Sequence, residues 1–297
     1  MRRIAPEPLP AERRPERGVA LIMALLLLSL LTVMVSQVVF SATVDAGIAR
    51  NARDDLKLQM AARSGVTLAR TWLRDDLESE GGAQLDSLRE PWASEAVAQP
   101  TAVGDVEIRI ELVDAERRLP VNQLAEPRSQ PVIARILRDL CGYLGIPDAP
   151  EVAARIRDYI DTDREGEYEE GARNGPVADV SELFDVPELD PAVLLGGTGE
   201  DGAEFEGLLP YLTTWGAGQI NVNTCPDALF WAIIPPTDPA GQPIDRDAAL
   251  EAFVQFRTGA GPDEPAPAPA PGAPPPGQDF RRVSDLRRLP GLQEVFA

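Results

Sequence analysis

Between Asp158 and Glu170 the chain sets seven carboxylates: Asp158, Asp161, Asp163, Glu165, Glu167, Glu169 and Glu170. Within them, Asp161-x-Asp163-x-Glu165-Gly166 has the form of the first half of a calcium loop. Alternating oxygen ligands suit a hard cation, and a glycine permits a sharp turn. A full EF-hand would close on a bidentate glutamate at its twelfth position, where this chain has Ala172. Closure therefore falls to Glu169, Glu170 or a more distant carboxylate. The candidate ligands are Asp161, Asp163, Glu165, Glu169 and Glu170. A solvated acidic loop is the other reading of the same residues.

Other chemistry finds few supports. The 297 residues contain no histidine, which removes the commonest general base and every imidazole ligand. Two cysteines, Cys141 and Cys225, are too few for a thiolate zinc cage. They read as two small buried apolar residues or as one disulfide. Paired carboxylates can hydrolyse glycosides. These cluster on one loop, however, and aromatic residues make up only 5% of the chain. The expectation is a protein that is not an enzyme. Its net charge of −20 repels phosphate backbones, so nucleic acid is not an expected partner.

The elements that must carry the acidic loop begin with an uncharged run from Val19 to Phe40. At 1.5 Å per residue, a helix of this length covers about 33 Å, enough to cross a bilayer core. Five arginines and three glutamates precede Gly18, and acidic residues follow the run. The positive-inside tendency puts the N-terminus in the cytoplasm and the body outside. Beyond Phe40, Ile48, Ala52, Leu56, Met60, Val66, Ala69 and Leu73 recur at helical spacing. One helix from about Val19 to Leu77 is expected, its upper half lying on a soluble domain. A break near Gly47 is the alternative. Val106, Ile108, Ile110 and Leu112 then alternate with Glu107, Arg109 and Glu111, the pattern of a half-buried strand.

The rest of the body repeats itself. Proline-started helical segments at PVIARILRDLCGYLGI and APEVAARIRDYID lead to VSELFDVPEL at Val180–Leu189. About a hundred residues later, DALFWAII and DAALEAFVQF lead to VSDLRRLPGL at Val283–Leu292. Asn122 of LPVNQL corresponds to Asn223 of INVNTC. Order and spacing together predict a duplicated helical module, each copy ending in an N-cap serine followed by an acidic residue.

The junction ERRPERGVALIM resembles a type IV prepilin leader, in which a peptidase cuts after the glycine and leaves the hydrophobic helix in place. That resemblance makes Gly18 the last leader residue and Val19 the N-methylated first residue of the mature chain. Most pilins and pseudopilins carry a glutamate where this chain has Met23. Its absence, with LPVNQL, D-x-D, S-E-L, INVNT and V-S-D-L in that order, is similar to the K-type minor pseudopilins of type II secretion.

The resemblance implies an α+β fold: a long N-terminal transmembrane helix, a pilin-like antiparallel sheet and a large all-α insertion of SAM-like, helix-hairpin-helix-like units. It implies calcium at the D-x-D segment. It also implies a single-pass inner-membrane protein with its body in the periplasm, capping a pseudopilus that supports export of folded proteins. The implied partners are other minor pseudopilins, the prepilin peptidase, the inner-membrane secretion platform and secreted substrates. The expected division is leader 1–18, membrane segment 19–40, pilin-like helix and first strand 41–119, first helical module 120–217 and second module 218–297. A Pro/Ala-rich linker at 262–277 interrupts the second module. Family members continue into further strands after the second S-D-L, where this chain reaches Ala297. A membrane-anchored periplasmic helix-hairpin-helix binding module, outside any pilus, is the alternative.

Overall fold

The computed structural model describes residues 17–79, 85–93, 99–199, 202–260 and 277–295. The leader before Arg17 and the linker before Gly277 lie outside the described residues.

Helix α1 (Arg17–Glu78) is continuous for 62 residues and passes Gly47 without a break. No proline interrupts it, and several of its hydroxyls bond back to the helix itself. Thr32, Thr43 and Ser64 each donate to the carbonyl four residues earlier, at 2.8 to 2.9 Å. A polar side chain bonded back to its own helix costs little in an apolar setting. The helix is long and apolar enough to cross a membrane.

The chain divides into two compact units: Met1–Gly65 with Ala102–Ile108, and Val66–Thr101 with Arg109–Ala297. In the first, Lys57 of α1 pairs with Asp105, which sits in the turn between strands β1 (Thr101–Val103) and β2 (Val106–Ile108).

The apolar stripe on α1 departs from expectation. Ile48, Leu56, Met60, Val66 and Leu73 are exposed. The buried positions are small ones at four-residue spacing: Ala61, Gly65 and Ala69. Periodicity reports a face that tends to be covered; it does not say that the same chain covers it. The alternation from Val106 to Leu112 holds, with Val106, Ile108, Ile110 and Leu112 more covered than Glu107, Arg109 and Glu111. Ladder pairing, however, is confined to Val106–Ile108.

Among the described residues the strands form three two-stranded sheets, not one larger sheet. β3 (Leu119–Pro120) pairs in parallel with β6 (Leu212–Thr213) and ties the start of the first module to its end. Between them lie α2 (Gln130–Tyr143), α3 (Ala149–Ile160), α4 (Pro191–Leu195) and an antiparallel pair, β4 (Gly196–Thr198) with β5 (Glu204–Glu206). Pro131 and Pro150 occupy the first turns of α2 and α3, where a missing N–H is harmless. Then follow α5 (Asp227–Ile233) and α6 (Arg246–Thr258). Leu137, Leu140, Ile156, Leu183, Phe230 and Phe253 are fully buried in one shared core. Phe230 and Phe253 stack at 3.6 Å between ring centres.

The two copies close in the same way. Asn122 accepts from the Val177 amide at 2.8 Å and donates to its carbonyl at 2.9 Å. Asn223 does the same with Phe280, at 2.7 and 3.0 Å. Three residues on, each copy enters a 3-10 turn, Val180–Asp185 or Val283–Arg288. Glu182 accepts from the amides of Ala178 and Asp179, and Asp285 from those of Arg281 and Arg282. The serines are not the caps, as the spacing had suggested. Asp179 and Arg282 hold the N-cap positions, and the acidic residue three positions on reaches back to close the turn.

Candidate metal site

Helix α3 stops at Ile160, and Asp161 leaves the helix in extended conformation as its C-cap. The loop that follows is drawn back by Asn122 at Val177 and by the Asn174 amide, which donates to the Tyr159 carbonyl at 3.0 Å. This return path brings Glu169 to the helix end. Asp161, Asp163 and Glu169 each offer a carboxylate oxygen, and these oxygens lie within 4.8 Å of one another. Glu165 and Glu170 are exposed and outside that group.

The three carboxylates are unevenly satisfied. Asp161 is 3% exposed. Its Oδ2 accepts from Gln130 at 3.1 Å and lies 3.9 Å from Arg157 Nε. Its Oδ1 is buried without a hydrogen-bond partner, as is Oε1 of Glu169. Burial first, then repulsion from Asp163, Asp158 and Glu169, pushes Asp161 up to about 6 against the pull of Arg157. Orphaned buried carboxylate oxygens are costly unless a proton or a cation meets them. An all-oxygen donor set of this charge fits a hard divalent cation of the calcium type. It offers nothing to a soft metal.

Three further residues belong to the arrangement. Asp158 is fully buried, held by Arg157 at 2.5 to 2.8 Å and by the Tyr168 amide at 3.0 Å. Gly166 passes directly over it, and an added Cβ would collide with the Asp158 carboxylate. The glycine is thus required by close approach. Asn174, at φ 55°, faces the same centre. With its amide nitrogen turned inward it donates to Glu169 Oε2 at 2.9 Å and to the Asp163 carbonyl at 2.6 Å. With its oxygen inward it would crowd acceptor against acceptor, an arrangement that a shared cation resolves. Spacing gave no hint of Asn174. A polar residue that tolerates left-handed backbone just after Gly171 is the one local signal.

A second set, Asp76, Asp86 and Glu90, also converges within 4.8 Å. There Glu90 accepts from Trp92 Nε1 and the Ser87 amide. Cys141 and Cys225 are both free and buried, and burial pushes each thiol up to about 12. They behave as core residues.

No family model matches the chain. The type II secretion system protein K of Klebsiella pneumoniae is 31% identical over 240 residues, covering 74% of this chain and 71% of that protein. The protein of the same description from Pseudomonas aeruginosa is 26% identical over 231 residues, covering 71% of this chain and 66% of its own length. Among solved structures, the chain is similar to one in the crystal structure of the GspK-GspI-GspJ complex from the enterotoxigenic Escherichia coli type 2 secretion system. The TM-score is 0.50 at 25% identity, over 62% of this chain and 68% of that one.

Proposed function

Because the chain belongs to the type II secretion system protein K family, we propose that it is a minor pseudopilin that caps the periplasmic pseudopilus and supports export of folded proteins. The observation that carries this reading is α1: an unbroken 62-residue helix whose apolar side chains stay exposed beyond the length a bilayer needs. Such a helix suits lateral packing against the helices of other minor pseudopilins. A relative solved in complex with GspI and GspJ supports partners of that kind. The body then sits in the periplasm on a single inner-membrane anchor, with no catalytic role, its pilin-like and SAM-like parts serving as assembly surface.

Cleavage after Gly18 by the prepilin peptidase, with methylation of Val19, would release the subunit to the secretion platform. Both residues fall in the first turn of α1. Mass spectrometry of the membrane-extracted protein tests this. A methylated Val19 terminus is expected, and an intact Met1 would favour an anchored binding module outside any pilus.

Calcium is the cation proposed for Asp161, Asp163 and Glu169, and the orphaned oxygens of Asp161 and Glu169 support it. It would pin the acidic loop to the end of α3. Isothermal titration should show heat with the native protein and none with an Asp161→Ala, Asp163→Ala double variant. Equal traces would end the assignment.

A further inference from the structure

A cavity of about 670 Å³ opens in the first module between the α2–α3 turn, the outer face of α3, the turn before α4 and the β4–β5 pair. Its volume lies within the roughly 300–1,000 Å³ typical of ligand sites. Val152 and Phe205 contribute to an apolar floor, and four carboxylates and one guanidinium line the walls. The guanidinium is already committed. Arg155 bridges Glu151 at 2.8 Å and Glu188 at 3.1 Å and donates to the Pro187 carbonyl at 3.1 Å. The Arg155 side chain is 13% exposed, while that of Glu188 is 79% exposed. Negative charge therefore remains at the mouth.

The internal repeat shows that Glu188 is an unusual choice. It has φ 58°, and the residue at the same place in the second copy is Gly291, with φ 76°. Both turns need left-handed backbone. Glycine adopts it freely, and glutamate does so only against steric resistance. The first copy thus tolerates strain to hang a carboxylate over the cavity, where the second copy has no side chain at all.

We propose that this groove docks a segment of a partner protein in which an arginine or lysine is flanked by apolar side chains, the cation meeting Glu188 and its neighbours meeting the floor. Charge selects a different protein over a second copy of this chain. Two chains with a net charge of −20 each repel. This docking is independent of the cation site.

The test uses full-length protein in non-ionic detergent and fluorescein-labelled, capped peptides centred on Leu-Arg-Leu or Leu-Glu-Leu. Fluorescence anisotropy should show the arginine peptide binding at least about tenfold more tightly. Glu188→Gly should lose most of that preference without lowering the melting temperature, because glycine suits the backbone there. Glu188→Gln should lose as much through charge alone. Equal binding of the two peptides, or undiminished binding by Glu188→Gly, overturns the proposal. An equal loss in Glu251→Gln, on the exposed face of α6, would reduce the effect to bulk charge and also overturn it. So would a dimer in sedimentation that Glu188→Gly disperses, which would give the groove to a second copy.

Discussion

Asp139 of α2 and Arg246 of α6 meet at 2.9 Å, each with 11% of its side chain exposed. The pair joins the two copies of the repeat. Asp139 also accepts from Arg135 at 3.2 Å and faces Arg138 at 3.1 Å, so one carboxylate serves three guanidinium groups. Arg135 in turn donates to the carbonyls of Ala232 and Ile233 at the end of α5, at 3.0 Å each. The junction between copies is polar and hydrogen-bonded, while the core beneath it is aliphatic and aromatic.

Removing Asp139 takes the ion-pair partner from Arg246 at a nearly dry junction, while Arg135 keeps its two carbonyls and Arg138 is half exposed to water. Breaking a buried pair from one side costs about 3–5 kcal/mol, and the residual exposure here favours the lower end. Asp139→Ala should lower stability by about 3 kcal/mol in chemical denaturation. A double-mutant cycle with Arg246→Ala should return a coupling of about 1 kcal/mol or more. Additive effects would mean that the pair is not a structural joint.

The reciprocal bonds of Asn223 and Phe280 make a second joint, with both residues 4% exposed. Asn223→Ala leaves the Phe280 N–H and C=O buried without partners, at about 1–3 kcal/mol for each group. Asn223→Asp keeps the acceptor for the N–H, loses the donor and brings in a buried charge. Both variants should melt well below the native protein. Asn122→Ala should behave likewise, since its pair with Val177 has the same geometry. A negligible shift in both alanine variants would show that water replaces the side chain.

These two joints mark where sequence stopped being sufficient. The continuity of α1, the proline-started helices and the order of the repeated turns were legible because each depends on residues close in sequence. Asn122 stood out as half of a repeated Val-Asn pair, yet its partner lies 55 residues away and carries no motif. At the proposed cation site, Asp161 and Asp163 were legible from their alternation. Glu165 was included by the same alternation, although the loop turns it outward. Asn174 and Gln130 enter only through the fold. The α1 stripe was legible as apolar, and its exposure was not, because spacing cannot tell a core face from a face kept for another chain.

That exposed stripe carries a prediction of its own. Leu56 and Met60 are 57% and 61% exposed. Leu56→Glu should leave the melting transition within about 0.5 kcal/mol of the native value, as surface changes usually do. The same variant should recover clearly less of the other minor pseudopilins on co-purification. A destabilised protein with intact assembly would reverse both expectations and return the stripe to this chain's own packing.

The proposed cation site predicts a pH dependence that calcium opposes. Asp161 is raised from an ordinary value of 3.8 to about 6, chiefly by burial and then by its carboxylate neighbours. The folded, cation-free protein therefore holds this proton more tightly than the unfolded chain does. The group's contribution to stability is full below pH 3.8 and is lost as pH rises through about 6. In chelator, the melting temperature should fall between about pH 5 and about pH 7, with the Asp161 contribution removed in Asp161→Asn. Calcium competes with that proton, so its affinity should rise through the same interval. One fixed calcium concentration should then raise the melting temperature little near about pH 5 and most near about pH 7.5, because stabilisation grows with ligand concentration relative to Kd. Differential scanning calorimetry at the two pH values, with and without calcium, reads all four states. A calcium effect that is the same at both pH values would take Asp161 out of the ligand set.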